Sequence, residues 1–244
     1  VADGMGGHSH GEVASRIAVQ SIREYVARKV DGLPAGGNGS GSSSDAGNLE
    51  AHSMILATAL QRAHHRVLGA IQEDGSLYGM GTTVVGFLLR GSTAAVAHVG
   101  DSRAYRLRDG RMELLTQDHT WVNEQVVAGY LSAEQARVHP LKNVITRALG
   151  GESEVVVDIR ELEVLDGDLF LLCSDGLTTM LPDPDIFEAM CREKGLEEAC
   201  RNLVQAANTR GGLDNVTVVL VSIVGDGAAL ADGYGTHSAQ RPSP

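Results

Sequence analysis

The apolar positions in the first third of the chain predict two helices. In residues 12–30 the apolar side chains recur about every 3.6 residues, as on one face of a helix. Residues 49–72 repeat this pattern. The segment between them, residues 33–48, is rich in Gly and Ser and has no periodicity, so we interpret it as a flexible loop inside one domain.

The pattern then changes to short apolar and β-branched runs, which predict strands. These runs cover residues 82–89, 94–99, 104–107, 155–165, 169–173 and 216–224. Asp109-Gly110 predicts a tight hairpin turn. Helical patterns return at residues 120–149, where His139-Pro140 interrupts them, and at residues 185–194 and 196–209. The last of these is expected to end at Gly211-Gly212.

The order of the elements predicts the fold class. Helices come in pairs and strands come in runs with short turns, which favours antiparallel sheets with helices on their outer faces, an α+β arrangement. Residues 1–225 are expected to form one domain. The remaining residues, 226–244, are rich in Gly, Ala, Ser and Pro and are expected to form a disordered tail.

Charge and composition exclude several classes of function. The chain has 20 Lys and Arg against 31 Asp and Glu, a net charge of −11, which argues against binding nucleic acid or anionic lipid. No apolar run reaches the length of about 18 residues that spans a membrane. The three cysteines form no CxxC pair and are odd in number, so we expect them to be reduced and the protein to be cytoplasmic.

Three acidic residues stand where predicted strands begin or end. Asp3 and Asp175 each follow an apolar run and precede a glycine, and Asp214 opens the last predicted strand. Glycine permits a turn that points such a carboxylate out of a sheet edge. Carboxylates that converge there repel one another unless a cation lies between them, and carboxylate oxygens suit Mg²⁺ or Mn²⁺. The alternative is that each Asp-Gly pair is only a turn.

Seven short segments stand out in order along the chain. They are VADGMGG (residues 1–7), GTT (81–83), HVGDSRAY (98–105), LTQDHT (115–120), ITRALG (145–150), CSDGL (173–177) and DNVTVV (214–219). Together they resemble the successive motifs of the metal-dependent Ser/Thr protein phosphatases of type 2C, most closely the bacterial branch. The resemblance implies a four-layer α-β-β-α sandwich of two antiparallel sheets flanked by helices.

The resemblance also implies a set of metal ligands. Asp3 would bridge two divalent ions, and the backbone carbonyl of Gly4 would bind one of them. Asp175 and Asp214 would supply further carboxylates, and Asp118 would hold a third, weaker ion together with Asp175. The cofactors implied are two or three Mg²⁺ or Mn²⁺ ions. Asp101 and Arg103 belong to the same motifs, and we assign them to structural support.

The candidate general acid is His8, in the segment GGHSHG. Many eukaryotic members have a His directly after the Asp-Gly pair, where this chain has Met5. The alternative for His8 and His10 is a polar loop leading into the first helix. We expect His64, His65 and His119 on the surface of helices or turns.

Two segments bear on substrate binding. Family members begin with a strand that carries a phosphate-binding Arg and an Asn-Glu-Asp segment, so we expect this catalytic domain to be truncated at its N-terminus and its activity alone to be uncertain. The segment from Trp121 to Leu149 corresponds to the mobile flap beside the family's catalytic cleft. Its pattern is equally compatible with a packed helical hairpin.

The function implied is hydrolysis of phosphoserine and phosphothreonine on proteins by a metal-activated water. The expected partners are phosphoproteins, among them a bacterial Ser/Thr kinase and its targets, and the protein is expected to be a monomer. Two alternatives stay open. One is a regulatory module of the same fold that binds phosphoproteins without hydrolysing them, and the other is a phosphatase specialised for an anti-sigma-factor antagonist.

Overall fold

The structure is a computed structural model that describes residues 1–6, 8–30, 44–192, 195–225 and 236–239. Its helices are α1 (His8–Val30), α2 (Ser44–Glu73), α3 (Trp121–Val127), α4 (Ala133–Val138), α5 (Asp175–Thr178), α6 (Asp183–Arg192) and α7 (Leu196–Thr209), with a 3₁₀ helix at Gly75–Leu77. Its strands are β1 (Gly4–Met5), β2 (Gly81–Thr82), β3 (Val84–Arg90), β4 (Thr93–Val99), β5 (Arg103–Arg108), β6 (Arg111–Leu114), β7 (Asp158–Glu163), β8 (Leu169–Cys173), β9 (Val216–Ser222) and β10 (Thr236–Ala239).

The chain divides into two compact units. The first, which we call the three-stranded unit, contains Ala2–Asp101 and Gln117–Glu163. The second, which we call the five-stranded unit, contains Val1, Ser102–Thr116 and Val164–Pro244. Every strand pair that the structure describes in either unit is antiparallel. The α+β class predicted from the order of the elements is therefore confirmed.

The three-stranded unit packs α1 and α2 on the sheet β3-β4-β7. Every residue of the central strand β4 is buried. Leu56 on α2 packs against Val84 and Ala97 of the sheet. Small side chains such as Ala18 are buried among the helices, which allows the two helices to lie close to each other. A separate two-stranded sheet, β1-β2, joins the start of the chain to this unit.

The five-stranded unit has the strand order β10-β9-β8-β5-β6. β8 occupies residues 169–173 as predicted, and four of its five residues are fully buried. The hairpin between β5 and β6 turns at Asp109-Gly110, whose φ angles of +50° and +69° confirm the predicted turn. Helix α7 packs against one face of this sheet and ends before Gly211, also as predicted.

Several elements differ from the sequence-based prediction. Helix α2 begins at Ser44, so the prediction of a loop is wrong for residues 44–48, where Ser and Asp favour a helix start. Residues 33–43 lie outside the described part. The disordered tail is wrong for residues 236–239, which pair as β10 with β9 through the backbone. The short helix α5 was not predicted, and α1 begins at His8 instead of residue 12.

The three cysteines are free, as predicted; Cys173 and Cys200 are buried, and Cys191 is exposed. Among the described residues, no helix combines the length and the apolar character that crossing a membrane requires.

A buried ion pair stabilises the five-stranded unit between β5 and the turn before β8. Asp168 is 1% exposed, and Arg108 donates to both of its carboxylate oxygens at 2.6 Å. The backbone N–H of Leu165 donates to the same carboxylate at 2.9 Å. Burial raises the pKa of Asp168, but the bonds from Arg108 and Leu165 outweigh burial and hold the pKa below its usual value.

We expect Arg108→Leu to lower the free energy of unfolding by about 2 to 3 kcal/mol at pH 7, because it leaves a buried carboxylate without its guanidinium. A carboxyl group with a lowered pKa stabilises the fold above its unfolded pKa of about 4, and this stabilisation is lost as the pH falls through the folded pKa. The difference between wild type and variant should therefore shrink below about pH 4. Urea unfolding at several pH values measures it.

Arg201→Leu is the matched control, because Arg201 pairs with Glu197 at 2.8 Å on the exposed face of α7. Its effect should stay within about 0.5 kcal/mol at every pH. Equal effects of the two substitutions, or an Arg108→Leu effect that persists unchanged at pH 3, would contradict the assignment of a stabilising buried pair.

Candidate functional site

Asp175 and Asp214 lie at the same edge of the five-stranded sheet. Asp175 begins α5 two residues after β8, and Asp214 precedes β9, the antiparallel neighbour of β8. Ser174 extends the pairing of these strands. Its N–H donates to the carbonyl of Thr217 at 3.1 Å, and its hydroxyl donates to the carbonyl of Asn215 at 3.2 Å. The structure therefore brings these two predicted ligands to adjacent strand ends.

Gly176 explains why a glycine follows Asp175. A Cβ atom at this position would lie 2.1 Å from the carbonyl oxygen of Asn215, which is inside the van der Waals limit. Only glycine allows the backbone of the SDG motif to lie directly against that of the DN motif. Asp214 is exposed, and Asp175 is half-buried with its Oδ1 atom inaccessible to solvent. Two carboxylates on one edge are the kind of donor set that suits a hard divalent cation.

The backbone of Asp3 is held by Thr82 and Thr83, at the end of β2. The N–H of Asp3 donates to Oγ1 of Thr83 at 3.2 Å. In return, the N–H of Thr83 donates to the carbonyl of Asp3 at 2.8 Å, and the hydroxyl of Thr82 donates to the same carbonyl at 2.9 Å. Both the N–H and the carbonyl of Asp3 are thus hydrogen-bonded, which fixes the backbone position from which its side chain extends.

Gly4 lies against the first turns of α1. A Cβ atom on Gly4 would come within 1.9 Å of the carbonyl oxygen of Gly11, and a Cβ atom on Gly11 would come within 2.4 Å of that of Gly4. Both positions therefore require glycine for steric reasons. Gly4 itself is exposed, so its backbone is accessible at the surface of the three-stranded unit. The use of the Gly4 carbonyl as a ligand stays a prediction.

Asp118 lies in a loop whose backbone is hydrogen-bonded on both sides. Its carbonyl accepts a bond of 2.7 Å from the side-chain amide of Asn123. The next amide, the N–H of His119, donates to the carbonyl of Gly100 at 3.0 Å. Asp118 is half-buried.

Gly100 connects the loop of Asp118 with the segment of Asp3. It has a φ of +103°, and a Cβ atom there would lie 2.6 Å from the side chain of Thr83. Because Thr83 is hydrogen-bonded to Asp3, the two predicted ligands of the three-stranded unit are linked through Gly100 and Thr83. The structure thus brings Asp3 and Asp118 into one region of this unit.

His119, the residue after Asp118, belongs to a buried network with His98, Arg147 and Asp158 that was not predicted from the sequence. His119 is 5% exposed. Its Nδ1 accepts a bond of 3.0 Å from the N–H of Gly100, which places the single proton of the neutral ring on Nε2. Nε2 lies 3.3 Å from the carboxylate of Asp158, and Arg147 donates to that carboxylate at 2.6 Å.

The expected surface positions of two histidines are therefore wrong. His119 is buried here, and His64, 0% exposed, accepts from the N–H of Gly150 at 3.2 Å. Partners distant in the sequence make burial possible for both rings. His65 is exposed, as expected. The motifs contained the signal, because His98, His119 and Arg147 all lie in them.

The network resembles a metal site in composition only. Potential ligand atoms of His98, His119 and Asp158 lie within 4.8 Å of one another. The rings of His98 and His119 are stacked with centroids 4.7 Å apart, however, and His98 already bonds the Gln117 carbonyl at 2.8 Å. A guanidinium nitrogen of Arg147 lies 3.0 Å from Nε2 of His119. This cation takes the place at which a metal ion would be held.

The protonation states in the network follow from burial and hydrogen bonding. Burial lowers the pKa of His119, and His98 lowers it further, although the bond to Asp158 opposes them. Burial raises the pKa of Asp158, but the bonds from His119 and Arg147 outweigh it and lower the pKa. The stable state at neutral pH is a neutral His119 beside an ionised pair of Arg147 and Asp158.

The remaining predicted residues have separate environments. His8 is the first residue of α1, but its side chain lies outside the described residues. Arg103 lies 3.0 Å from the hydroxyl of Tyr105 and 3.9 Å from Asp183, which agrees with a structural role in the five-stranded unit. Asp101 is 8% exposed.

The segment from Trp121 to Leu149 contains two short helices, α3 and α4, and otherwise turns and bridges. Val122 is buried, but Val127, Tyr130 and Val138 are 66%, 78% and 83% exposed. These exposed apolar side chains favour the flap over a packed helical hairpin.

Comparisons with known proteins agree with these observations. The sequence model of the protein phosphatase 2C family matches residues 1–213. The serine/threonine phosphatase Stp of Listeria innocua is 37% identical over 221 residues, which cover 91% of this chain and 82% of that protein. The crystal structure of the Mycobacterium tuberculosis serine/threonine phosphatase PstP/Ppp is similar with a TM-score of 0.79 and 34% identity, and covers 92% of this chain and 87% of that one.

A second structure of the PstP catalytic domain, in complex with two manganese ions, is similar with a TM-score of 0.74 and 35% identity over 92% of this chain and 86% of that one. The family model and these relatives extend over nearly the whole domain, and they agree with the motifs and with the antiparallel α+β fold. The chain is a member of the protein phosphatase 2C family.

Proposed function

We propose that this protein is a metal-dependent phosphatase that hydrolyses phosphoserine and phosphothreonine on proteins. One observation carries the proposal: a chain of this family places Asp175 and Asp214 on adjacent strand ends, in a backbone arrangement that only Gly176 permits. Structural support alone does not require two partly accessible carboxylates there. A hydrolase that uses a divalent cation requires such carboxylates as ligands.

The proposed ligands of the three-stranded unit are Asp3, the carbonyl of Gly4, and Asp118. Those of the five-stranded unit are Asp175 and Asp214. When bound, two Mg²⁺ or Mn²⁺ ions supply Lewis-acid activation of water and neutralise phosphoryl charge. A relative in this family binds two manganese ions, which supports the choice of metal.

The chain's own residues provide positioning. Thr82 and Thr83 hold the backbone of Asp3, and Ser174 holds the strand ends beside Asp175, so the carboxylates require little reorganisation on binding. We assign protonation of the leaving oxygen to His8, which begins α1 close in sequence to Asp3. The segment from Trp121 to Leu149 is proposed as the flap that contacts the protein substrate.

The partners follow from the same proposal. The substrates are phosphoproteins, among them a Ser/Thr kinase and its targets in the cytoplasm, and the protein acts as a monomer. The regulatory module is the less favoured alternative, because binding alone needs no set of five metal ligands. A phosphatase specialised for an anti-sigma-factor antagonist would share these ligands and differ in the flap.

We expect Asp175→Asn and Asp214→Asn each to reduce kcat/KM for a phosphothreonine peptide by at least about 100-fold, because each removes a charged ligand. Phosphate release by the full-length protein in Mn²⁺ measures this, and EDTA should abolish it. Asp109→Asn is the matched control, since it makes the same charge change at the exposed β5-β6 turn, where Asn tolerates the positive φ.

Hydrolysis that survives EDTA, or that both ligand substitutions leave unchanged, would contradict the metal assignment. Binding of the phosphopeptide without any turnover by the wild type would identify the regulatory module instead. Faster release from phosphotyrosine than from phosphothreonine would contradict the substrate class.

We expect the double substitution Tyr130→Ser and Val138→Ser to raise KM for a phosphoprotein about 30-fold, because each removes an exposed apolar contact worth about 1 kcal/mol. Hydrolysis of p-nitrophenyl phosphate should not change, since this small substrate does not need the flap. Equal effects on both substrates would contradict a flap that binds protein substrates.

A further inference from the structure

We propose that Trp121 and His139 are positioning residues whose ring contact holds α4 against the start of α3, and that this contact lowers the KM for protein substrates. The inference deepens the proposed function, because it rests on the segment from Trp121 to Leu149 acting as the flap that contacts the substrate. It assigns to two residues the task of holding that flap in its binding position.

The first step is the closed base of the segment. Thr120 and Ile145 form an isolated antiparallel bridge. The N–H of Trp121 donates to the carbonyl of Val144 at 2.9 Å, and Oγ1 of Thr120 accepts from the N–H of Asn123 to cap α3. Trp121 therefore begins α3 from backbone that is tied to the other end of the segment.

The second step is the position of His139 at the end of α4. Its N–H donates to the carbonyl of Ala136 at 3.3 Å, and its carbonyl accepts from the N–H of Lys142 at 3.1 Å. Its Nδ1 accepts from the N–H of Leu141 at 3.1 Å. Pro140 follows and favours the extended backbone that His139 adopts, with a ψ of 140°. The ring of His139 is therefore held in one orientation.

The third step is the contact between the two rings. The ring centroids of Trp121 and His139 lie 5.0 Å apart at an interplanar angle of 33°, a distance at which aromatic rings attract each other. Both residues are half-buried. The contact thus joins the first residue of α3 to the residue that ends α4.

Helix α4 has little else to hold it in place. It is six residues long and contains no buried residue, whereas α3 contains buried Val122. A helix this short is not stable by itself in water. The ring of His139 therefore supplies an anchor that the side chains of α4 do not.

The anchor matters for substrate binding because of the residue beside it. Val138 directly precedes His139 and is 83% exposed, and we have proposed that it contacts protein substrates. Ordering a mobile segment on binding costs affinity, and a segment that is already held avoids this cost. The contact between Trp121 and His139 should therefore affect KM more than kcat.

His139→Asn removes the ring but keeps an acceptor, because Oδ1 of Asn can take the N–H of Leu141 in place of Nδ1. We expect this variant to raise KM for phosphorylated casein about three- to tenfold, the factor to which an aromatic contact corresponds. Its kcat should stay within about twofold of wild type, since the proposed metal ligands lie outside the segment. Phosphate release by the full-length protein in Mn²⁺ measures both.

Trp121 is the only tryptophan in the sequence, so its fluorescence reports the contact without any turnover. In His139→Asn the indole loses the ring that covers it, and its emission should shift to longer wavelength and be quenched more strongly by acrylamide. Trp121→Leu should raise KM as His139→Asn does, and takes its place if that variant does not fold. Trp121→Phe keeps an aromatic ring and should stay within about twofold of the wild-type KM.

A double-mutant cycle separates this contact from two independent effects. Trp121→Leu combined with His139→Asn should raise KM no further than either substitution alone, because both remove the same contact. His65→Asn is the matched control, since it makes the same substitution at an exposed histidine of α2 in the same unit. It should change neither KM nor the emission of Trp121.

A wild-type KM in His139→Asn, effects of the two substitutions that add fully, or a fall in kcat as large as the rise in KM would overturn the inference. The proposed function stands in each of these cases, because the wild type still hydrolyses phosphorylated casein. If the wild type releases no phosphate from phosphorylated casein or from a phosphothreonine peptide in Mn²⁺, the proposed function itself fails and the inference with it.

Discussion

The fold depends on backbone contacts so close that only glycine permits them. Gly176 lies against Asn215, and Gly4 lies against Gly11, at distances where a Cβ atom would collide with a carbonyl oxygen. In each unit such a contact adjoins an aspartate at a sheet edge. The backbone of these aspartates is therefore held in place by packing. A site that binds a cation without rearranging requires such a fixed backbone.

Hydrogen-bonded polar networks then hold the backbone in the positions that these glycines allow. In the three-stranded unit, Thr83 connects the backbone of Asp3 with Gly100, and Gly100 bonds the ring of His119. The charge of Asp158 lies on the far side of that ring. The carboxylate of Asp158 thus orients the buried ring of His119, whereas the carboxylate of Asp214 is exposed at the end of a strand.

Elements with a strong local signal could be predicted from the sequence. The continuous apolar run predicted β8, because burial on both faces of a strand shows in adjacent residues. The glycine pair after α7 predicted where that helix ends, because a helix stop also depends on adjacent residues. The carboxylates of Asp175 and Asp214 were predicted at strand ends for the same reason, and their ligand roles remain proposals.

Features that depend on distant partners could not be predicted. His119 is buried because Asp158 and Gly100 satisfy its nitrogens, and no local pattern shows this. β10 forms because β9 offers an unpaired edge, which composition does not reveal. The flap segment has a helical pattern, yet Gly129 with a φ of +79° ends α3 early.

The most direct test of the account is anomalous X-ray scattering from crystals of the full-length protein soaked in Mn²⁺. We predict manganese peaks at coordination distance, about 2.1 Å, from carboxylate oxygens of Asp3, Asp175 and Asp214. Peaks between His98, His119 and Asp158, or no peak at these aspartates in saturating Mn²⁺, would contradict it.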